Sequence, residues 1–356
     1  MRVLYLTNIH NPYRDKFFEE LGRRCELTVL FERHTDSHRD ASWFDGARAN
    51  SYREVFLPDK EGRLRPRTML SMLGGEHLVV VGCYNEPRQM AAIAHLRSKG
   101  IPYVVNLDGP LFDTPLPKRI VRDWVLRGAD AYLVAGGRSA SSLRGVAQNA
   151  PVVAYPFSSL TAAQIAKAVS SDVKRDPCLV LSVGQFEPYK GLDVLLSAAQ
   201  ELSHLQFRVI GAGARNDELK QLADNMGVTN VETIPFLSPD ELTYEYERAS
   251  LFVLPSRQEC WGLVINEAAS HGTPLVSTWG SGAAVEFLSG AYPQFLAEPD
   301  DSGSLANSIR AALSLGPQAQ SEYSSFLRQK ASEYTIEAMV DAHMSLFEQM
   351  QDVSHG

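Results

Sequence analysis

The sequence predicts an α/β protein of two doubly wound domains, each built on its own mostly parallel sheet. Three observations lead there. Short β-rich runs alternate with helical patterns nearly from end to end, as in βαβ units whose strands are buried on both faces. The alternation restarts after 157–177, "FSSLTAAQIAKAVSSDVKRDP", a stretch with a short helical piece but no strong strand. A chain of 356 residues also exceeds what one simple core ordinarily holds. We therefore expect a first domain over 1–160, a linker over 161–177 and a second domain over 178–334, with a C-terminal helix over 335–356 returning to the first domain.

The elements follow in order. The first half offers the strands "RVLYLT", "ELTVLF", "HLVVVG", "PYVVNL", "AYLVAG" and "PVVAY", with helical segments at 14–24, 87–98, 117–128 and 138–146. Between them, 33–70 is polar and turn-rich with a basic run, "KEGRLRPR", and reads as a surface excursion. The second half offers "CLVLSVG", "FRVIGA", "VETIP", "LFVLP" and "PLVST", with helices near 190–202, 215–226, 239–248 and 263–271. In the tail, Ile336, Met339, Val340, Met344 and Phe347 recur at helical spacing and make one apolar face.

Composition narrows the class. Hydrophobic content of 44% and charged content of 21% are globular values. A net charge of −8 argues against a general nucleic-acid binder. Four scattered cysteines without a CxxC pair read as reduced residues of an intracellular protein. No apolar stretch approaches the roughly 20 residues that span a bilayer, so we expect a cytoplasmic protein, at most peripheral on a membrane's inner face.

Three segments carry chemistry. In "LVLSVGQFEPYKGLDVLL" a strand ends at Gly184, Gln185 follows, and a helix begins around Lys190–Gly191. A helix start with a lysine suits a phosphate, though an ordinary turn with a solvated lysine reads the same. In "FRVIGAGARNDELKQLA" a strand runs into Gly211 and Gly213 and then a helix, which permits close approach to a ligand or merely a tight turn. In "LFVLPSRQECWGLVINEAASHG" Glu259 falls in a loop at a strand's carboxyl end, Gly262 opens a helix, and Glu267 lies within it. Ionised carboxylates only accept hydrogen bonds and suit vicinal hydroxyls; the bland alternative is a solvated Glu259 and a locally paired Glu267. No Asp-x-Asp, HExxH, His/Cys cluster, nucleophile elbow or P-loop is found, so we expect no metal and no cofactor.

Together these segments resemble the family 4 retaining glycosyltransferases, the glycosyl transferases group 1, whose GT-B architecture has two facing Rossmann-like domains. The carriers are the E-x7-E run "ECWGLVINE", "GQFEPYKG", "GAGARNDEL", and "PFLSPDEL" followed by "YERASLFVLPSRQE", in the family's order. "EAASHGTPLVSTWGSGAAVEFL" fits as well. The first half matches more loosely, through "MRVLYLTNIHNPYRDKFFEELGRRCELTVLFE" and "YPFSSL", and is similar to members that build bacterial surface polysaccharides.

The resemblance implies a metal-independent transfer of sugar from a nucleoside-diphosphate sugar (UDP or GDP) to a saccharide or lipid-linked acceptor. Glu259 would contact donor-sugar hydroxyls, Glu267 the ribose and Lys190 the diphosphate. Gly184, Gln185, Gly211, Gly213 and the amides of Trp261, Gly262 and Leu263 would complete the donor site, with Phe236 and Leu237 beside the base. Family members commonly carry arginine where this chain has Gln185, so the missing charge would have to come from elsewhere, with Arg14 and Arg257 as candidates. That departure also keeps a non-catalytic nucleotide-sugar-binding protein as the alternative. A nicotinamide oxidoreductase would need glycines after the first strand that "LTNIHNPYR" lacks.

The first domain would supply the acceptor side through strand-end residues: Asn8, His10, Asn11 and Arg14; Tyr84, Asn85 and Glu86; Asn106 and Asp108. Asp108 would face the reacting carbon, or else forms a turn before Gly109. Lys118, Arg119, Arg122 and Arg127 cluster near Ile120, Val121 and Trp124 and suit either an anionic membrane surface or water.

Overall fold

The computed structural model describes residues 1–33, 51–56, 69–70, 72–73, 77–169, 173–211 and 215–354. The chain divides into two compact units, Met1–Ser159 with Ile336–Gly356, and Leu160–Thr335.

The first unit is a parallel sheet of β1 (Arg2–Ile9), β2 (Glu26–Arg33), β3 (Arg53–Phe56), β4 (His77–Val81), β5 (Tyr103–Leu107), β6 (Ala131–Ala135) and β7 (Val152–Tyr155). Their order is β3-β2-β1-β4-β5-β6-β7. β5 and β6 are buried along their whole length, which is why they read as unbroken apolar runs rather than alternating ones. The connecting helices are α1 (Pro12–Gly22), α2 (Pro87–Lys99), α3 (Leu116–Leu126) and α4 (Gly136–Ser142). Asn11 caps α1 by accepting from the Arg14 N–H at 3.0 Å, with Pro12 at the first helical position, where its missing N–H costs nothing.

The terminal helix, Ile336–Ser354, packs on α1 and β7 of this unit. Its apolar face is the one the spacing predicts: Ile336, Met339, Val340, Met344 and Phe347 are all buried. His343 lies in that face, its ring 4.8 Å from both the Phe17 and Tyr155 rings. Its Nδ1 is 2.7 Å from the Met339 carbonyl, and burial pushes its pKa down to about 4.

The second unit has a parallel sheet in the order β10-β9-β8-β11-β12-β13. Its strands are β8 (Asp176–Val183), β9 (Gln206–Ile210), β10 (Val231–Ile234), β11 (Ala249–Leu254), β12 (Leu275–Thr278) and β13 (Leu296–Ala297). Its helices are α5 (Ala162–Val169), α6 (Leu192–Glu201), α7 (Asn216–Asn225), α8 (Pro239–Arg248), α9 (Leu263–Ser270), α10 (Gly282–Leu288), α11 (Ser302–Leu313) and α12 (Pro317–Glu333). "LSPDEL" makes a full capping box at α8: Ser238 Oγ accepts from the Glu241 N–H, and Glu241 accepts from the Ser238 N–H at 2.9 Å.

Three expectations are corrected. The stretch 33–70 is not wholly a surface excursion, because Arg53–Phe56 pairs with β2 as the edge strand of the first sheet; 34–50 and the basic run at 60–67 lie outside the described residues. The stretch 161–177 is not a bare linker: α5 packs on α9 and α12, and β8 begins at Asp176. The helix expected at Lys190–Gly191 starts at Leu192, because Pro188–Lys190 form a 3-10 turn and Gly191 takes φ +67°.

Candidate active site

In the second sheet the strand order reverses between β8 and β11, and ligands of doubly wound sheets bind beyond the strand ends at such a switch point. The loops after these two strands carry Lys190 and Glu259, and the structure joins them as an ion pair between Nζ and Oε2. Both side chains are mostly withdrawn from water, 16% and 14% exposed. Sixty-nine positions separate them, so the pairing is purely tertiary.

Several contacts hold this pair in place. The Tyr189 carbonyl accepts from the Arg257 N–H at 2.8 Å, tying the turn to the β11 loop. Gly191 comes so near the Pro255 carbonyl that a Cβ there would collide with it. On the other side, the Glu259 N–H donates to the Gly280 carbonyl at 3.0 Å and the Gly282 N–H donates to the Glu259 carbonyl at 3.2 Å. A Cβ on Gly280 would collide with the Arg257 carbonyl, so the "WGSG" turn and the Glu259 loop touch backbone to backbone.

Arg257 does not face this pair with a spare charge. Its guanidinium donates to both Asp193 carboxylate oxygens, at 2.8 and 2.7 Å, and also to Asp300. The Arg257 hydrogen bonds in turn hold the Asp193 carboxyl below its usual range. Arg14, the other proposed substitute for the missing arginine, belongs to the first unit, where it pairs with Asp108.

Arg215 is the cation that sequence reasoning missed. It opens α7, and its guanidinium lies 5.0 Å from the Phe186 ring centroid and 3.5 Å from Glu187, directly against the loop that carries Gln185. It also donates to Glu218 at 2.8 Å. Gln185 itself is exposed, and its carbonyl accepts from the Glu187 N–H.

The rest of the predicted donor set is distributed as follows. Gly184 follows β8, its N–H donating to the Ile210 carbonyl at 2.9 Å; Gly211 follows β9 at φ +82°. Gly213 lies outside the described residues. Phe236 is exposed and Leu237 half-buried in the loop before α8. Gly262, at φ +95°, opens α9, and Leu263 is that helix's first residue. The Trp261 ring is buried on Tyr334, with its Nε1–H donating to Asn266 at 2.9 Å, and its carbonyl accepts from the Ala283 N–H at 2.8 Å.

Glu267 is half-buried on α9 and accepts from the Tyr246 hydroxyl at 2.8 Å. Burial first, and the Glu267 carboxylate second, push the Tyr246 phenol well above its ordinary pKa, so it stays a donor. Tyr246 stacks on His271, rings 5.8 Å apart, and Thr273 and Arg175 hold its backbone carbonyl. The sequence contained no local sign of Tyr246, since 21 positions separate it from Glu267.

In the first unit, Arg14 and Asp108 meet at the carboxyl ends of the sheet. Tyr155 donates to Asp108 Oδ1 at 3.2 Å, and Tyr5 donates at 2.7 Å to Asn106 on β5, two positions before Asp108. The other predicted acceptor residues have partners of their own. Asn8 accepts from the Ile9 N–H and Asn11 is spent on capping α1. His10 turns to Asp15 at 3.2 Å and Glu54 at 3.8 Å. Tyr84 packs on the core, and Asn85 accepts from the Cys83 thiol. Glu86 occupies the N-cap position of α2. Among the described residues, no group of three His, Cys, Asp or Glu is placed to hold a metal ion.

Two parallel doubly wound sheets, one of seven strands and one of six, define the GT-B class of fold. Residues 164–335, nearly the whole of the second unit, match the family described as Glycosyl transferases group 1. A D-inositol 3-phosphate glycosyltransferase of Mycolicibacterium smegmatis is 32% identical over 178 residues, 48% of this chain and 40% of that enzyme. The chain thus spans less than half the length of this curated relative. Among solved structures, sucrose-phosphate synthase of Thermosynechococcus elongatus superposes with a TM-score of 0.75 at 17% identity, covering 99% of this chain and 100% of that one. An Anabaena protein solved in complex with UDP and glucose does so with a TM-score of 0.72 at 17% identity, covering 99% and 100%.

Proposed function

We propose that this chain is a retaining glycosyltransferase that moves a sugar from a nucleoside-diphosphate sugar to a saccharide or lipid-linked acceptor. The observation that carries the reading is the Lys190–Glu259 pair at the switch point of a group 1 glycosyl transferase domain. As the bond from the anomeric carbon to phosphate breaks, negative charge grows on the leaving diphosphate, and a preorganised positive group must meet it. Lys190 fills that role, with Arg215 supplying the second charge that Gln185 does not, and the start of α9 adding its amides. No resident metal is then needed.

Glu259 has two partners to serve. Its carboxylate accepts from Lys190 and retains lone pairs for donor-sugar hydroxyls, so it positions both the lysine and the sugar. Glu267, steadied by Tyr246, takes the ribose hydroxyls; Phe236 and Leu237 flank the base. Retention follows from front-face attack in which the leaving phosphate accepts the acceptor's proton. In the first unit, Asp108 carries the acceptor contact, with Arg14 and Tyr155 fixing its orientation.

Uracil is the first choice of base, because the Anabaena protein was solved with UDP and glucose. Cell-surface polysaccharide, lipopolysaccharide or glycolipid assembly in a bacterium, at the cytoplasmic face of the membrane, is the setting this reading proposes. The relatives called D-inositol 3-phosphate glycosyltransferase favour a second acceptor class, a phosphorylated polyol. Release of free nucleoside diphosphate from a panel of nucleotide sugars, with saccharide, lipid-linked and inositol-phosphate acceptors, tests the proposal. Turnover dependent on Glu259 supports it. Nucleotide binding without release under any acceptor supports a non-catalytic binding protein instead.

A further inference from the structure

Helix α3 turns its apolar stripe to the solvent. Leu116, Ile120, Val121 and Trp124 are 58%, 60%, 48% and 56% exposed, while Val125 and Leu126 are its buried residues. Leu116, Ile120 and Trp124 recur four apart and so lie along one face, with Val121 beside them. A helix covering a doubly wound sheet ordinarily does the reverse, and single exposed apolar residues are unremarkable where a contiguous row is not.

Charge borders this row. Lys118 and Arg119 on the helix and Arg127 just past it are exposed. Arg97 of α2 reaches Trp124 from behind, its Cζ 5.2 Å from the ring centroid and its Nη1 donating to the Trp124 carbonyl at 2.7 Å. Arg122, grouped with these cations from the sequence, is turned inward to Asp123 and the Phe112 carbonyl and does not share the face. Asp113 and Asp130 lie beyond the two helix ends, and Asp130 is already accepting from the Tyr103 N–H. The outward face is therefore apolar with a positive rim, on a chain whose net charge is −8.

We infer that α3 docks this protein on an anionic lipid surface. Apolar side chains at the acyl boundary with lysines and arginines at headgroup level are what an interfacial helix needs. A protein groove would accept the apolar row but gives no reason for the cationic rim. The helix has 11 residues, and among the described residues no helix is long and apolar enough to cross a membrane, so contact is at the surface. The chain enters α3 from the loop that Asp108 opens at the carboxyl end of β5, so docking brings that end of the first sheet to the bilayer. The inference rests on the first unit alone and stands apart from the donor reading.

Cosedimentation of the full chain with phosphatidylcholine vesicles, with and without phosphatidylglycerol, tests it. Binding is expected only to the anionic vesicles and should weaken with salt. Each basic residue near such a surface contributes roughly fivefold in partitioning, so Lys118→Glu with Arg119→Glu should cut binding at least about 25-fold. Ile120→Ser with Trp124→Ser should cut it comparably, and the emission blue shift on vesicle addition should vanish with Trp124→Phe. All these positions are on the surface, so melting temperature and nucleotide binding should be unchanged. Equal binding to neutral vesicles, equal binding by the variants, or no vesicle binding with self-association that the variants abolish would overturn the inference.

Discussion

The two units each bring a cation and a carboxylate together beyond the carboxyl ends of a parallel sheet, yet the pairs are built differently. In the first unit the cation is Arg14, 8% exposed, whose planar guanidinium meets Asp108 while Tyr155 holds the same carboxylate from another side. In the second it is Lys190, a single charge on a flexible stem, facing Glu259 across a loop crossing. Arginine's fork is preorganised and suits a fixed cross-link, whereas a lysine redistributes its three donors at little cost. The contrast teaches that residue type, not proximity, distinguishes a clamp from a pair that can be shared with an arriving diphosphate.

Breaking the first clamp should show the larger effect on folding. Arg14→Ala leaves Asp108 without its countercharge in a mostly buried position and should lower unfolding free energy by about 3 kcal/mol in denaturant melts. Lys190→Ala should instead spare stability and reduce turnover roughly 10²–10³-fold in a nucleoside-diphosphate release assay, the scale set by losing one preorganised group at a developing charge. If both substitutions act mainly on stability, the distinction between the pairs is lost.

The terminal helix sharpens the comparison, since it packs on the same unit as the Arg14 clamp. His343 has a pKa of about 4 when folded against about 6.5 when unfolded, so the unfolded state binds the proton first. Stability is therefore unaffected above pH 6.5, falls as pH drops from there, and loses about 3 kcal/mol by pH 4. His343→Leu should flatten that part of the profile in thermal melts at pH 7.5, 5.5 and 4.5, whereas the second unit's site should show no such dependence on this residue.

The smallest effects concern the neighbours of the second pair. Tyr246→Phe removes the hydroxyl that Glu267 accepts from and should raise the donor KM several-fold with kcat nearly unchanged, about 1 kcal/mol of positioning. Arg215→Gln should weaken nucleotide binding by a similar amount if it supplies the charge missing at Gln185. An unchanged affinity would remove Arg215 from the site.

Much of this was legible in the sequence because its signals are local. β5 and β6 announced themselves as apolar runs, and the terminal helix by its spacing. Lys190 and Glu259 were each singled out from the strand–loop–helix pattern around them, and the fold pairs them. What escaped was short or tertiary. β3 is a four-residue edge strand with two charged residues in it, and β13 has two residues, so neither builds a recognisable period. Tyr246, Arg215 and Tyr155 acquire their roles only by reaching across strands. His10 and Asn11 had the right residue types at a strand end, but the fold uses one against Asp15 and Glu54 and the other as a helix cap.

Titration of UDP and GDP into the wild-type chain and Lys190→Ala by calorimetry addresses the central claim most directly. We expect one site per chain for one of the two nucleotides, weakened at least about tenfold by the substitution, with the binding heat falling as salt rises. Undiminished binding to Lys190→Ala, or no binding of either nucleotide to the wild type, would contradict the assignment of this pair to the donor diphosphate.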